Sequence, residues 1–435
     1  MRFELPDPSA PRAYAFGWVA LLLLWLYGSL ATLGQAAQAP LILAGAVLLA
    51  LTAWQGTGRG EHVVFALAVL TRLLFAVFTL VHPLPAKWFA DMTASGYIAQ
   101  GWADLFTGQP MSAVVSAQWH NVGYPEYLLG LALYGWRLLG GVATSLGALG
   151  ALVSAALVYP LLRFAQATGL PRAWQLASAA AWALWPSAAF LSLILDRDPY
   201  VDFCLTWTAA TWVSWARLTP RQRALPLAVS AAVFALGRPY LLAFVPVTLL
   251  LAWAIEQPKR LAYVVPAAVA AAVALHLPER LAAIHDHILV QTKVVGLAST
   301  TLYWNLHYAG WSDFLRRLPG QALYVFSMPL PGAYPLHNLG LKAAALENLG
   351  LLAIAAFGVF ACVITMAEGR ALDTTRVRAA RYALLFFALC VSAYGVVEPD
   401  LGAAIRHKPE FVTLLFPWAA LAARGLRLKV RRKHV

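Results

Sequence analysis

Long apolar segments, repeated along the chain and joined by polar stretches, constrain the fold of this sequence more than any other feature. A helix needs roughly 20 residues to cross the hydrocarbon core of a bilayer, and its backbone groups must be hydrogen-bonded internally there. We therefore predict an all-α fold, a polytopic bundle of transmembrane helices. About twelve spans are predicted, near residues 13–34, 38–56, 61–82, 141–165, 172–194, 199–217, 222–237, 240–256, 261–277, 347–367, 380–397 and 410–425.

The overall composition supports a membrane protein and excludes several other classes. Hydrophobic residues make up 61% of the chain, charged residues only 12%, and the mean hydropathy is +0.67. Soluble globular proteins carry about twice that share of charged residues. The three cysteines (Cys204, Cys362 and Cys390) all lie in apolar segments, a pattern that indicates neither a disulfide framework nor a zinc site.

The distribution of basic residues predicts the orientation of the chain. If the N-terminus is cytoplasmic, 20 of the 32 Lys and Arg residues fall in loops on the cytoplasmic side and 10 in the opposite loops. Of the 19 acidic residues, 13 fall on the outer side. Cytoplasmic loops of membrane proteins are enriched in Lys and Arg. Both termini are therefore predicted to be cytoplasmic, and the net charge of +13 reports topology and contact with membrane lipids, with no support for nucleic-acid binding.

Two long polar segments interrupt the apolar pattern, and no linker divides the chain, so we expect one transmembrane domain over residues 1–435. The first segment, 84–140, is predicted to be a large exoplasmic loop with an amphipathic helix. It holds polar and aromatic side chains in a chain where carboxylates are scarce, among them Asp91, Tyr97, Asp104, His120 and Tyr124. The second segment, 278–346, is also predicted to be exoplasmic.

Polar residues at the outer ends of the predicted spans form four clusters. Ionisable groups near the membrane interior are costly and usually functional, so their common side favours a site there. The clusters are Asp91, Asp196-Arg197-Asp198 with Asp202, Gly237-Arg238-Pro239-Tyr240, and the run Glu398 to Lys408.

The chemistry of these clusters suits a phosphate ligand and a proton acceptor. Arg238, Arg406 and Lys408 are candidates for holding a phosphate or pyrophosphate, because guanidinium groups match phosphoryl oxygens. A carboxylate such as Asp91 can accept a proton from a hydroxyl. Aromatic side chains in the first loop suit stacking on a sugar or the lipid interface.

Plainer interpretations stay open for several of these residues. Arg238 also fits a basic side chain that reaches to the membrane interface, and Asp198 also fits a helix cap before Pro199. His120 and His407 are candidate general acids or hydrogen-bonding residues. No cofactor is expected, although two patterns resemble divalent-cation ligands. These are Asp196 with Asp198, and His285, Asp286 and His287.

The order of these motifs resembles a known family. It is similar to the polytopic C-type (GT-C) glycosyltransferases that use polyprenyl-phosphate-linked sugars, specifically the bacterial relatives of protein mannosyltransferases and lipid A aminoarabinose transferases. The resemblance covers about residues 60–425. It rests on Asp91 followed by Tyr97, His120-Asn121-Val122-Gly123-Tyr124-Pro125, Trp185-Pro186-Ser187 before Leu195-Asp196-Arg197-Asp198, Arg238-Pro239-Tyr240-Leu241, and Leu401-Gly402-Ala403-Ala404-Ile405-Arg406-His407-Lys408.

The resemblance implies a sugar transferase of the bacterial inner membrane, with its active site on the periplasmic side. Asp91 would be the catalytic base, with Asp198 as the next candidate. The implied phosphate ligands are Arg238, Arg406, Lys408 and Arg197, and the implied supporting residues are Asp198, His407, Tyr97, His120 and Tyr124. The implied partners are a polyprenyl-phosphate sugar donor and a glycan, lipid or protein acceptor.

Two other classes share much of this pattern. A transporter or flippase for a lipid-linked sugar would need the same phosphate-binding cations, but transporters usually show repeated halves, and none is evident here. A polysaccharide polymerase or ligase would use Arg and His side chains in a late outer loop. The segment 278–346 keeps that alternative open through His285, His287, His307, Arg316 and Arg317.

Overall fold

A computed structural model of the chain describes residues 59–81, 90–121, 124–138, 143–193, 197–294, 308–331, 339–369, 373–397 and 401–433. All secondary structure within these ranges is helical, and no strand occurs among them, which confirms the prediction of an all-α fold. The predicted spans near 13–34 and 38–56 lie outside the described residues.

The described residues form two compact units, and the chain passes from the first to the second between Pro239 and Tyr240. The first unit contains ten α-helices among its described residues: α1 (Arg59–Val81), α2 (Ala90–Thr107), α3 (Ala113–Asn121), α4 (Tyr124–Leu138), α5 (Ala143–Ala156), α6 (Val158–Ala167), α7 (Arg172–Ala183), α8 (Pro186–Leu191), α9 (Asp198–Val213) and α10 (Pro220–Gly237).

The second unit continues from Tyr240 and also takes in the short segment Ala167–Leu170. Its described helices are α11 (Leu241–Ala254), α12 (Pro258–Ala274), α13 (Leu277–Val294), α14 (Trp311–Ser327), α15 (Leu339–Ala367), α16 (Thr374–Val397), α17 (Leu401–Val412) and α18 (Phe416–Lys433). The sequence-based prediction of a single domain stays a prediction.

The first unit is built on α1 and α9. Helix α1 packs against α5, α7 and α8, while α9 packs against α5 and α10. Arg72, in the middle of α1, is 1% exposed. Its Nη2 donates to Ser154 Oγ at 2.7 Å, its Nη1 donates to the carbonyl oxygen of Ala68 at 2.9 Å, and its guanidinium lies 5.1 Å from the ring centroid of Trp182. These contacts supply the buried guanidinium with two hydrogen-bond acceptors and an aromatic ring. The sequence pattern alone suggests no partner for Arg72.

The second unit is centred on α16. This helix packs against α11, α13, α14, α15 and α17, and it buries Tyr382, Phe386, Cys390 and Tyr394. Gly395 lies where α16 meets α14, and a Cβ atom added there would stand 2.5 Å from the Cα atom of Ala322. The absence of a side chain therefore allows the two backbones to approach closely.

Three helical stretches of the described chain are long and apolar enough to cross a membrane: Leu149–Ala167, Lys342–Ala367 and Thr374–Val397. A bent pair, Lys259–Ala274 with Leu277–Asp286, gives a fourth if it counts as one span. Helix α15 leaves large apolar side chains exposed, including Leu346, Phe357 and Phe360. Such a surface suits lipid. These helices mark the chain as a membrane protein, and the count of about twelve spans stays a prediction.

Several predicted spans correspond to shorter or broken helices. The predicted span 172–194 is divided into α7 and α8 at Pro186, because proline lacks the N–H that would continue the ladder. The pair α12 and α13 bends by 54° at His276, whose φ is +47°. Helices α9 and α11 have 16 and 14 residues, fewer than a straight crossing of the hydrocarbon core requires.

Both predicted outer segments contain helices. Segment 84–140 contains α2, α3 and α4, and aromatic contacts join Trp102 to Phe106 and Trp119, and Phe106 to Tyr134. Segment 278–346 contains α14, which buries Phe314, Ala322, Val325 and Phe326 while Arg316 and Arg317 are exposed. Helix α14 is therefore amphipathic.

Ion pairs join loops that the charge distribution assigns to the same side of the membrane. Within the first unit, Arg172 pairs with Glu61 at the start of α1. Within the second, Arg378 Nε lies 3.1 Å from Glu256 Oε1. Each pair links two connections that are both predicted to be cytoplasmic. These contacts agree with a topology in which the paired connections lie on the same side of the membrane. The assignment of that side to the cytoplasm stays a prediction.

Candidate functional site

A buried ion pair between Arg238 and Asp198 is the central feature of the first unit. Arg238 Nη2 donates a hydrogen bond to Asp198 Oδ1, and the two residues are only 6% and 5% exposed. Arg238 follows the last residue of α10, and Asp198 is the first residue of α9. The pair therefore joins the end of α10 to the beginning of the preceding helix, α9.

Local structure brings these two helix ends together. Helix α10 begins with a capping box in which Thr219 and Gln222 bond reciprocally, with Pro220 next to the cap, a sequence pattern typical of a helix start. It ends at Gly237, where an added Cβ atom would stand 3.3 Å from Val201 Cγ2 and 3.5 Å from Arg197 Cβ. A larger residue at position 237 would crowd α9, so glycine permits the approach.

The sequence also suits Asp198 as a cap for a helix that begins at Pro199. Helix α9 begins at Asp198 itself, and the cap position belongs to Arg197, which makes no side-chain cap hydrogen bond. A carboxylate in the first turn is favourable for the helix dipole. The Asp198 side chain is directed to Arg238 rather than to a capping interaction alone, and Arg238 is buried rather than extended to an interface.

In the second unit, His407 belongs to a buried hydrogen-bonded chain. His407 Nδ1 lies 2.9 Å from Glu410 Oε1, one helical turn further along α17. Tyr394 donates its hydroxyl proton to Glu410 Oε2, and the Tyr394 and Tyr240 hydroxyl oxygens are 2.6 Å apart. His407, Glu410 and Tyr394 are buried, whereas Tyr240 is 36% exposed. These hydrogen bonds thus connect Tyr240, at the surface of the unit, to the buried imidazole of His407.

Lys408, the next residue of α17, has different partners. Its Nζ donates to the carbonyl oxygen of Met328 and to Asn348 Oδ1. Asn348 in turn donates to the carbonyl oxygens of Ser327 and Pro329. Burial lowers the pKa of the Lys408 amine to about 7, although the charge of Glu347 acts to raise it. Lys408 therefore stabilises the segment that follows α14 through these hydrogen bonds. Its predicted role as a phosphate ligand stays a prediction.

The remaining candidate residues lie on several elements. Asp91 is the second residue of α2, and Tyr124 is the first residue of α4, but their side chains lie outside what the structure describes. Tyr97 on α2 is half-buried, and His120 on α3 is exposed. Arg406 on α17 is half-buried, as is Arg197 before α9. That Asp91, Arg238 and Arg406 belong to one site on the same side of the membrane stays a prediction.

Neither candidate cation motif is complete within the described part of the chain. Asp196 lies outside the described residues, so the cation site at Asp196 and Asp198 stays a prediction. His285 is buried in α13 with an exposed fraction of 0%, Asp286 is half-buried, and the side chain of His287 lies outside the description.

Sequence reasoning missed three residues of these networks. Glu410 and Tyr394 complete the chain to His407, and Asn348 holds Lys408. The spacing of three residues between His407 and Glu410 was a usable signal, because residues three apart on a helix lie on the same face. Tyr394 and Asn348 belong to apolar spans and carry no comparable signal.

No family model, curated protein or solved structure matches this chain.

Proposed function

We propose that this protein is a membrane glycosyltransferase that moves a sugar from a polyprenyl-phosphate donor to an acceptor on the exoplasmic side. The proposal rests on the resemblance to the C-type family described above. It also rests on one structural observation: ionisable side chains lie buried and hydrogen-bonded at the ends of apolar helices, as in the pair of Arg238 and Asp198. Such groups in membrane proteins are costly and are usually functional.

Different side chains have different roles in the proposed reaction. Asp91 takes the proton of the acceptor hydroxyl while the acceptor oxygen bonds to the anomeric carbon with inversion. The bond from that carbon to the phosphate oxygen breaks, and its electron pair moves to the lipid phosphate. Arg238 and Arg406 stabilise the charge that develops there, with Arg197 and Lys408 as further cations. Asp198 holds Arg238 in place through their ion pair.

The proposed setting follows the sequence-based topology. The enzyme lies in a bacterial inner membrane with both termini cytoplasmic and its site facing the periplasm. Tyr97, His120, Tyr124 and His407 support the donor or acceptor, and segment 278–346 selects the acceptor. The acceptor is a glycan, a lipid or a protein, and no cofactor takes part in the proposed chemistry.

A transfer assay with Asp91→Asn tests this proposal. The purified protein in nanodiscs is given a radiolabelled sugar on a short-chain polyprenyl phosphate, with a mixed glycan and lipid acceptor pool. Wild-type protein should release polyprenyl phosphate and label the acceptor, and Asp91→Asn should lower the rate by about a hundredfold or more, because general base catalysis contributes about 10² to 10⁴. Asp104→Asn, a second carboxylate of α2, is the matched control and should keep wild-type turnover.

The assay separates the alternatives when it is repeated with an oligosaccharide on a lipid diphosphate and with the protein in sealed vesicles. Turnover only with an oligosaccharide on a lipid diphosphate would indicate a polymerase or ligase and contradict the proposed donor. Movement of the lipid-linked sugar across a vesicle membrane without any new glycosidic bond would indicate a flippase. Retained turnover in Asp91→Asn would remove Asp91 from the base role and make Asp198 the next residue to substitute.

A further inference from the structure

The connection between α9 and α10 carries an arginine cluster, Arg217, Arg221 and Arg223. Arg217 and Arg221 are exposed, and Arg223 is half-buried. Among the described residues, none of the three forms an ion pair or a side-chain hydrogen bond. No acidic residue occurs in the sequence between Asp202 and Glu256. The described part of the chain therefore supplies no counter-charge to the cluster.

Arginines in two other connections predicted to lie on the same side of the membrane do have charged partners. Arg172 pairs with Glu61, and Arg378 pairs with Glu256. A position on this side of the membrane therefore does not by itself leave an arginine unpaired. The cluster differs from these pairs in concentrating three positive charges without a carboxylate.

The position of the cluster on α10 adds to its need for an anion. Arg221 and Arg223 lie in the first turn of the helix, Pro220–Gly237, where the helix dipole is positive and a basic side chain is unfavourable. An anion beside the guanidinium groups offsets both this effect and their mutual repulsion. A phosphodiester suits them well, because guanidinium groups match phosphoryl oxygens in pairs of hydrogen bonds.

Aromatic contacts indicate the environment of the cluster. The Arg223 guanidinium lies 4.9 Å from the ring centroid of Trp215, and the Trp215 and Trp212 rings are 6.1 Å apart. Tryptophan is enriched where a membrane meets water, and a cation over its ring is stabilised. These contacts suit arginines at the level of the lipid headgroups.

An apolar stripe on α10 begins one turn after Arg221. Leu225, Val229 and Leu236 are 40%, 38% and 53% exposed, and their spacing from Arg221 places all four residues on one face of the helix. From Leu225 to Leu236 the stripe is about 16 Å long, close to the roughly 15 Å depth of hydrocarbon in one leaflet. A charged head followed by an apolar stripe of this length matches the shape of a phospholipid.

We propose that the arginine cluster and the α10 stripe bind an anionic phospholipid, with its phosphodiester at the arginines and an acyl chain along Leu225, Val229 and Leu236. Charge selects this occupant. A lipid without net charge leaves the cluster uncompensated, and a second copy of the chain docked through the same patch adds positive charge and no anion. The lipid site is independent of the proposed sugar transfer, so its occupancy is measured without any turnover.

Native mass spectrometry of the full chain in detergent tests the charge selection. Phosphatidylglycerol and phosphatidylcholine with the same acyl chains are titrated separately, and wild-type protein should bind phosphatidylglycerol more tightly. The triple variant Arg217→Gln, Arg221→Gln and Arg223→Gln should lose this preference. Its affinity for phosphatidylglycerol should fall about a hundredfold, because each basic side chain near an anionic membrane surface contributes about fivefold.

A matched triple variant removes the same number of charges from another exposed surface. Arg280→Gln, Arg316→Gln and Arg317→Gln replace three exposed arginines of the second unit and should leave the preference unchanged. An equal loss in both triple variants, or no preference in wild-type protein, would overturn the proposal. Displacement of the lipid by an equal concentration of glycerol 1-phosphate would also overturn it, because the headgroup alone would then be the ligand.

The apolar stripe is tested by Leu225→Ser and by crosslinking. Leu225→Ser should weaken binding of both lipids severalfold and keep the preference for phosphatidylglycerol, because it removes an apolar contact and no charge. Phosphatidylglycerol with a photoreactive acyl chain should label residues 225–236, and the label should disappear in the variant that lacks the arginine cluster. A label outside α10 that ignores the cluster would contradict the proposed site.

Two further outcomes are decisive. A dimer in the native spectrum that dissociates when the arginine cluster is replaced would show that a second copy occupies the patch, and would overturn the lipid proposal. Should the triple variant fail to fold, Arg221→Gln alone replaces it, since this exposed side chain has no described partner to lose. That single variant should bind phosphatidylglycerol about fivefold more weakly, and unchanged binding would contradict the proposal.

Discussion

Several charged side chains of this protein are buried and interact with specific partners rather than with solvent. Arg238 and Asp198 illustrate this, since an arginine at the end of a membrane helix commonly extends its charge to the interface. Here both members of the pair are buried, so each carries a desolvation cost that its partner offsets. Removing one member leaves that cost uncompensated, and this asymmetry makes the pair testable.

Arg238→Ala should destabilise the protein by about 3 to 5 kcal/mol, because the Asp198 carboxylate loses its charged partner in a buried position. The double variant Arg238→Ala with Asp198→Ala should recover part of that loss. Unfolding by detergent titration measures both. Arg317→Ala removes an ion pair whose arginine is 44% exposed, and it should cost less than about 1 kcal/mol. An equal loss in the Arg317 and Arg238 variants would contradict the interpretation.

The carboxylate of Asp313 makes a contribution to stability that should depend on pH. Burial acts to raise the pKa of its carboxyl, but hydrogen bonds from the Ala309 N–H and the guanidinium groups of Arg316 and Arg317 outweigh that effect and lower it. A lowered folded-state pKa contributes stability above the unfolded-state value, and the contribution disappears as pH falls through the folded-state pKa. Wild-type protein should therefore unfold at a higher temperature than Asp313→Asn at neutral pH, and the difference should vanish at strongly acidic pH. A difference that persists there would contradict this account.

At the scale of elements, helix breaks and close helix contacts shape the two units. Pro186 divides a helix that hydropathy presents as one continuous span, 172–194. His276, with its positive φ, lies at the bend between α12 and α13, near the predicted end of the span 261–277. Glycine acts in the opposite direction by allowing close contact, as where α16 passes α14 at Gly395. Element boundaries therefore follow local backbone chemistry, while helix spacing follows side-chain size.

Gly395→Ala should destabilise the second unit by about 1 to 3 kcal/mol, because the added methyl group overlaps the backbone of Ala322 and forces α14 away from α16. Gly320→Ala is a matched control on α14, since an added Cβ atom there meets no atom within 4 Å. That control should be neutral or stabilising by up to about 1 kcal/mol, as alanine favours a helix. Thermal unfolding compares the two variants, and an equal effect of both would contradict the packing argument.

At the scale of the whole molecule, the distribution of charge predicts the side on which each loop lies. The described ion pairs link loops of like assignment within each unit, as Glu61 with Arg172 and Glu256 with Arg378. The three native cysteines are buried, so a reagent that cannot cross membranes meets little background. These two facts allow the topology to be measured with single added cysteines.

Arg316→Cys and Arg221→Cys should react on opposite sides of the membrane. Arg316 is 79% exposed on a segment predicted to be exoplasmic, and Arg221 is exposed in a connection predicted to be cytoplasmic. An impermeant maleimide added to intact cells should label only the Arg316 variant, and permeabilised cells should label both. The reverse pattern would place the proposed site on the cytoplasmic side.

The candidate site was only partly predictable. The sequence alone singles out Arg238, Asp198, His407 and Lys408, because charged residues stand out where most neighbours are apolar. It does not show which residues they pair with. Arg238 and Asp198 are 40 positions apart, and Lys408 and Asn348 are 60 apart, so neither spacing reflects a helical repeat. Only Glu410, one turn from His407, was within reach of a periodicity argument.

The sequence by itself determined the class of the protein. Only helices and closed barrels satisfy the backbone in lipid, and apolar segments of about 20 residues match membrane-crossing helices rather than the shorter strands of a barrel. It also determined where the few ionisable groups stand along the chain. Only the tertiary structure decided which of those groups pair, where a helix bends, and that His407 and Lys408 serve different neighbours. Pairing depends on distances between residues far apart in the chain, and those distances exist only after the helices have packed.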